Sequence, residues 1–567
     1  MKKFARLLLK ILPPVPVFAY LGVLVFLPVS AVFRELPQFS LLWDEAILAT
    51  VWATFAQAVL STLLSCSIGL LGGVYLGARV LSGAGPSPSP SPSPSPSPRI
   101  RRLVRGLLLW PSMIPGVLAA TSWILLLGKR GEWMQLFGPG FLSEWLPSSL
   151  RDWSYSFKAV ILAHVFYNVP WVTLLIAEAW EQVSPLQWAA GKTLGASSIE
   201  RFRDIGWPQI RFAWFQSAIQ VFSLCSTSFI LVLLLGGGPP VSTLETEIFA
   251  RARGGFSDLA GAAACALWQF VLAFFPLFLL RVIKPASLGA SARGDTLDLS
   301  DAAPARRLRA SFFGVFYSIF WVIPYLAFWA ANPPWRSVAI VFRAAQQSAN
   351  AESWIQSLQT SFLLAVSVAV VVLALSLYSV SEAVRKSWMG DWIEWLFQVP
   401  SSVSILVLSL GIWLVYGAHL RSSDGSLLMM VALQSLLFVP IVYRWFAPLA
   451  ESSPRYLHEA ARTLGADARR AWWTVEWPRW RGTLALAAAF LVGASLGEAS
   501  VGSFFSGERY TPISVWMSRW ISRYQFEEAE HLASLLLVAS LAIALAASQN
   551  LPRRLKAVER NSERGVP

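Results

Sequence analysis

The chain runs to 567 residues, of which 55% are hydrophobic and only 14% charged, with a net charge of +14 and a mean hydropathy of +0.54. A soluble globular chain carries about 25% charged residues, which excludes water as the solvent for most of this surface. Nucleic acid is excluded as the reason for the positive charge, because the Lys and Arg residues sit in short segments between apolar runs rather than along a basic helix or arm.

The apolar runs fall at about 12–33, 46–78, 104–128, 157–178, 212–236, 260–282, 311–331, 357–380, 392–417, 427–450, 483–505 and 531–549. Hydrocarbon cannot satisfy a backbone N–H or C=O, so each run must close its hydrogen bonds internally, as a helix does. The pattern therefore predicts an all-α polytopic membrane protein of about twelve transmembrane helices. The first run follows Lys2, Lys3, Arg6 and Lys10, but is longer than the apolar stretch of a secretory signal, and is read as a retained helix. Arg99, Arg101, Arg102 and Arg105, then Arg306, Arg307 and Arg309, then Arg469 and Arg470, then Arg553, Arg554 and Lys556 fall in alternate loops. That asymmetry places those loops and both termini in the cytoplasm. Many of the 28 Trp lie near run ends, where indoles favour the headgroup region.

Residues 86–98 alternate Pro and Ser without a break. Proline donates no backbone hydrogen bond and serine has little to bury, so this tract is expected to be an extended, solvated spacer in a cytoplasmic loop. Cys66, Cys225 and Cys265 each fall inside an apolar run with no paired spacing, as small buried hydrophobes do. Neither they nor the four scattered His form a metal-ligand pattern, and no catalytic Ser/His/Asp arrangement is apparent.

The most specific feature is an internal repeat. Thr193-Leu194-Gly195-Ala196 recurs 270 residues later as Thr463-Leu464-Gly465-Ala466, and Trp207-Pro208 recurs at the same offset as Trp477-Pro478. Upstream, Asn168-Val169-Pro170 pairs with Phe438-Val439-Pro440. The chain thus divides into a first half, 1–285, a cytoplasmic linker, 286–310, and a second half, 311–567, each with six helices in pseudo-symmetric arrangement. Each repeated loop reads as a short helix, a glycine break, a second short helix and a proline at the start of a span. Gly195 and Gly465 supply the positive φ for the turn, and Pro208 and Pro478 suit a first helical turn.

Glu459-Ala460-Ala461, three residues, Gly465, nine residues, then Val475 and Pro478 resembles the signature loop of permeases in ATP-binding-cassette importers. The resemblance implies that this loop is a coupling helix docking on a separate ATPase subunit, of which two copies are expected. The first loop departs from the pattern: Ala189 stands where the glutamate belongs, and Gly191 follows Ala190 where the second alanine belongs. Gly191-Lys192-Thr193 imitates the end of a phosphate-binding loop, but Leu186 occupies the position of its first glycine. The chain is accordingly expected to bind no ATP or other cofactor itself and to be a transport subunit rather than an enzyme. A soluble binding protein is expected to deliver substrate at the outer face of a bacterial inner membrane.

Double-length permeases resemble thiamine importers and iron(III) importers best. Leu162-Ala163-His164-Val165-Phe166-Tyr167-Asn168-Val169-Pro170, Leu235-Gly236-Gly237-Gly238-Pro239 and Ser242-Thr243-Leu244-Glu245 are similar to thiamine permeases; Leu496-Gly497-Glu498-Ala499 is similar to both groups. Glu498, a carboxylate at membrane depth, is a candidate for the pathway of a cationic substrate, and aromatic faces near it would add cation–π attraction. A glutamate paired with a neighbouring helix is the alternative. A secondary transporter would share the repeats and spans without needing two coupling loops, and a membrane enzyme would need a clustered catalytic set.

If the Pro-Ser tract is a spacer only, deleting residues 86–98 should leave uptake within about twofold of normal, since loop length changes cost little. Loss of uptake with expression intact would instead show that the tract contacts a partner.

Overall fold

The computed structural model describes residues 22–36, 38–77, 98–114, 116–127, 156–181, 183, 185–236, 241–253, 258–282, 304–347, 351–384, 403–417, 423–451, 455–507, 509–523 and 525–550. Among them every regular element is helical, as the hydropathy pattern requires. The Pro-Ser tract, apart from Pro98, and most of the 286–310 linker lie outside the described residues.

The first half contains α1 (Leu27–Arg34), α2 (Glu45–Leu76), α3 (Pro98–Met113), α4 (Gly116–Leu127), α5 (Phe157–Trp180), α6 (Pro185–Thr193), α7 (Ser198–Arg201), α8 (Trp207–Ser226), α9 (Ile230–Gly236), α10 (Leu244–Arg253) and α11 (Leu259–Val282). The second contains α12 (Pro304–Phe320), α13 (Ile323–Ala331), α14 (Pro334–Gln347), α15 (Ala351–Val384), α16 (Ile405–Tyr416), α17 (Ser423–Glu451), α18 (Arg455–Thr463), α19 (Ala468–Ala471), α20 (Trp477–Gly497), α21 (Ser500–Phe505), α22 (Ile513–Ser522) and α23 (Phe526–Asn550). Helix α12 thus begins inside the stretch read from sequence as linker.

Six described helices are long and apolar enough to cross a membrane unaided: Glu45–Leu76, Phe157–Trp180, Leu259–Pro276, Ile355–Val380, Gly425–Ala447 and Trp480–Gly497. Three pairs bent by 88°, 59° and 65° raise that to nine: Leu103–Pro111 with Gly116–Ile124, Ser198–Ser226 with Ile230–Gly236, and Phe312–Phe320 with Ile323–Ala331. The runs expected at 12–33 and 392–417 appear as shorter apolar helices, Gly22–Arg34 and Ile405–Tyr416. Their remaining residues fall largely outside the described set.

Local chemistry sets the helix starts. Asp44 caps α2, its Oδ1 accepting from the N–H of Ala46 at 3.0 Å and of Ile47 at 3.3 Å. Ser404 does the same for α16, accepting from Leu406 at 3.1 Å and Val407 at 3.4 Å. Each cap satisfies donors that hydrocarbon would strand. Packing then follows small residues: a Cβ at Gly69 or Gly73 of α2 would stand 2.6 Å from Val172 or Ile176 of α5. Where apolar burial gives no preference between helices and lipid, such close backbone approach supplies the association.

The repeat in sequence is a repeat in packing. The α2–α5 pair recurs as α15–α17, α8 lies on α2 and α5 as α20 lies on α15 and α17, and α10–α11 recurs as α22–α23. The halves also exchange their first spans. Helix α1 packs on α16 of the second half, while α12 and α13 pack on α3 and α4 of the first. Trp110 of α3 donates its indole N–H to Ser540 of α23 at 3.1 Å and lies 5.9 Å from Tyr325 of α13, tying the halves through fully buried rings.

At the α1–α16 crossing a Cβ on Gly411 would run into the backbone carbonyl of Pro28. Gly411→Val should destabilise the folded protein by about 1–3 kcal/mol, read as a fall in thermal midpoint in detergent. Gly493→Ala, whose new methyl would meet Ile543 at an ordinary 3.4 Å, is the matched control and should leave the midpoint unchanged.

Candidate functional site

The two repeated loops adopt one geometry. Helix α6 ends with the Ala196 N–H bonded to the Gly191 carbonyl at 3.0 Å and the Gly195 N–H to Lys192 at 3.1 Å. Helix α18 ends with Ala466 to Ala461 at 3.0 Å and Gly465 to Arg462 at 3.0 Å. This is a Schellman closure with glycine in the left-handed position: φ is 83° at Gly195 and 86° at Gly465. Nothing lies within 4 Å of a Cβ built on either glycine, so backbone conformation alone demands the residue. Thr193 and Thr463 repeat one another too, each hydroxyl donating to the carbonyl of Ala190 or Ala460 at 2.8 Å.

Beyond the turn, Ser197 and Glu200 form a reciprocal cap in the first loop: the Ser197 N–H donates to Glu200 Oε2 at 2.7 Å and the Glu200 N–H to Ser197 Oγ at 3.3 Å. That backbone bond holds the Glu200 carboxyl below its usual range. Asp467 serves the second loop, accepting from the Arg470 N–H at 2.7 Å. Ala189, Ala190, Glu459 and Ala460 are exposed, Ala461 and Gly191 half-buried. Leu194 is 86% and Leu464 88% exposed, the most solvent-facing large apolar residues described.

The prolines do not start fresh helices. Residues Phe202–Gly206 and Trp472–Glu476 are π-helical turns leading without interruption into α8 and α20, so Pro208 and Pro478 stand inside a continuous helical course. A π-turn shifts the hydrogen-bond register by one residue just where proline removes a donor. Rings carry each loop into the bundle: Trp180 lies 5.4 Å from Trp188 and 6.1 Å from Phe202, and Trp207 lies 5.7 Å from Trp214. In the second half Trp473 lies 5.1 Å from both Trp472 and Trp477.

A second polar region lies within the spans, where α8 breaks into α9 and α20 breaks into α21. In the first half Gln57 Nε2 and His164 Nδ1 are 2.7 Å apart, and His164 Nε2 is 2.9 Å from Ser228 Oγ. With the amide donating, the ring carries its proton on Nε2 and gives it to Ser228. Gln269 donates to the Ser226 carbonyl at 2.9 Å. The same repeat offset sets Gln434 at the place of His164, and Ser495 donates to it at 2.6 Å. Glu498 is half-buried, and its two oxygens accept from the N–H groups of Ser500 at 2.8 Å and Val501 at 3.0 Å. The glutamate singled out from sequence thus starts α21. Cys66, Cys225 and Cys265 are buried free thiols, as their apolar settings suggested.

Sequence reasoning applied the cost of intramembrane polarity to Glu498 alone. Gln57, His164, Asn168 and Gln269 stand in apolar runs and satisfy the same criterion, and Glu245 was noted only as part of a resemblance.

With this geometry in place, comparisons with known proteins are informative. The family described as binding-protein-dependent transport system inner membrane component matches residues 94–287 and 371–554. The chain is similar to the thiamine transport system permease protein ThiP of Brucella melitensis, 25% identical over 467 residues covering 81% of this chain and 82% of the relative. The ThiP proteins of Haemophilus influenzae (23% identical, 87% of each chain) and Escherichia coli (27% identical, 75% and 78%) are similar over most of their length too.

Since φ alone fixes Gly465, Gly465→Val should abolish substrate uptake with membrane insertion intact, while Gly465→Asn, which tolerates the left-handed region, should retain a measurable fraction. Equal loss in both would mean that the loop requires glycine for space rather than conformation.

Proposed function

This chain belongs to the family of binding-protein-dependent transport system inner membrane components, and on that footing we propose that it is the permease of an importer for thiamine. The observation that carries this reading is that thiamine permeases resemble the chain across both halves, not one domain. A binding protein delivers the substrate on the outer face. Two copies of a separate ATPase subunit engage the loops around Gly195 and Gly465 on the cytoplasmic face, where both termini lie, and ATP is used there rather than by this chain. Leu194 and Leu464 offer apolar knobs to that partner, and Glu459 adds a polar contact that Ala189 does not duplicate. Closure of the ATPases moves each knob, and the packed Trp and Phe rings transmit the displacement to α8 and α20, each of which ends at a break before a short helix.

Glu498 keeps a place in this proposal as a fixed negative charge beside the break between α20 and α21. Two backbone N–H bonds limit how far it can turn toward a passing ligand. Substrate choice is the more direct test of this reading. Reconstitution of the permease with its ATPase and binding protein, offered labelled thiamine and ferric iron side by side, should show ATP-dependent thiamine uptake only. Uptake of iron alone would replace the substrate and leave the permease assignment standing.

A further inference from the structure

We propose that Glu245, at the junction of the two halves, is the countercharge met by a small aromatic organic cation during translocation; this deepens the substrate reading above and rests on it. Glu245 is the second residue of α10 and is 0% exposed, and among the described residues neither carboxylate oxygen meets a hydrogen-bond partner at normal geometry. An ionised carboxylate withdrawn from water is strongly unfavourable unless paired. The N-terminus of α10 favours negative charge at this position, but it supplies no counterion. The Arg251 guanidinium on the same helix is already committed, to Glu247 at 3.0 Å and Asp258 at 2.8 Å. From the second half the hydroxyl of Ser404 lies close enough to act on the carboxyl, but a hydroxyl brings no positive charge. Among the described residues no cation acts on the Glu245 carboxyl, so a positive charge brought in by a ligand is what would hold it ionised there.

What surrounds the carboxylate fits a flat cation. Phe249 stands one turn further along α10, on the same face as Glu245. Its ring lies 5.0 Å from that of Phe229, at the start of α9, and 5.5 Å from that of Phe504 in α21 of the second half. Helix α10 also packs directly against α16. A carboxylate with aromatic rings from both halves one helical turn away can recognise positive charge and aromaticity together.

Internal symmetry shows that the fold does not call for this carboxylate. Helices α10 and α22 begin alike, the Leu244 N–H donating to Thr54 Oγ1 at 2.9 Å and the Ile513 N–H to Ser361 Oγ at 2.8 Å. That registers Glu245 with Ser514, which is equally buried at 1% exposure and fully accommodated, its hydroxyl donating to the Glu498 carbonyl at 3.0 Å. One half therefore holds a satisfied serine where the other holds an unsatisfied glutamate.

The test uses the complete transporter in liposomes, with labelled thiamine and an uncharged isostere whose cationic ring is replaced by thiophene, both at concentrations saturating the binding protein. Wild type should favour the cation by about tenfold or more. Glu245→Gln and Glu245→Ser, the latter copying the second half, should bring the two ligands to near parity while ATPase activity persists. Unchanged preference in both variants, or an equal loss of both ligands, would overturn the assignment and make Glu245 a packing residue. No thiamine uptake by wild type would remove the substrate reading and this seat together.

Discussion

Inside a bilayer a backbone group that loses its helical partner has no water to turn to, and the breaks after α8 and α20 are organised around that fact. Where α8 gives way to α9, Gln269 reaches the Ser226 carbonyl and His164 holds Ser228. Where α20 gives way to α21, Glu498 takes the two leading N–H groups and Ser514 covers the Glu498 carbonyl. Polar side chains at depth are thus first of all the condition for breaking a helix there. Once present, they set polar groups at depth in each half, which an apolar bundle would lack.

Duplication supplied two copies of every part, and the differences between copies mark where the halves have taken separate duties. The turn geometry of the repeated loops is shared to within a few degrees at Gly195 and Gly465. Ala189 against Glu459, His164 against Gln434 and Glu245 against Ser514 are unlike pairs in like surroundings. A symmetric dimer of identical half-chains would be obliged to place each of these residues twice. Joining the halves permits a single countercharge for a singly charged solute.

The two loops were legible in the sequence because their requirements are local: a glycine at a positive φ, small residues before it, and a threonine bonding back one turn. The number of long apolar runs likewise follows from hydropathy alone. The π-turns ahead of Pro208 and Pro478 were not legible, since proline reads equally well as a helix start until the upstream residues are seen to be helical. Glu245 was overlooked for a different reason. It follows a Gly- and Pro-rich stretch, Gly236 to Pro240, and opens a helix of only ten residues containing Glu247 and Arg251, so its surroundings read as a loop near water. Tertiary packing of α10 against α2, α11 and α16 is what buries it. The exchange of first spans has no sequence signature, because apolar helices carry no label naming the neighbour they will choose.

That exchange bears on how the molecule is made. Helix α1 leaves the ribosome among the first residues, whereas α16, the surface that receives it, is several hundred residues further on. At roughly 5–20 residues per second α1 waits tens of seconds in lipid before its partner exists. It can afford to wait because lipid solvates an apolar helix as well as protein does. The small face of Gly411, which admits the Pro28 backbone, then acts as a late clasp, closing the first half only after the third span of the second has been inserted. A ribosome that stopped between the halves would release a protein whose first helix rested on α11 without its larger seat on α16.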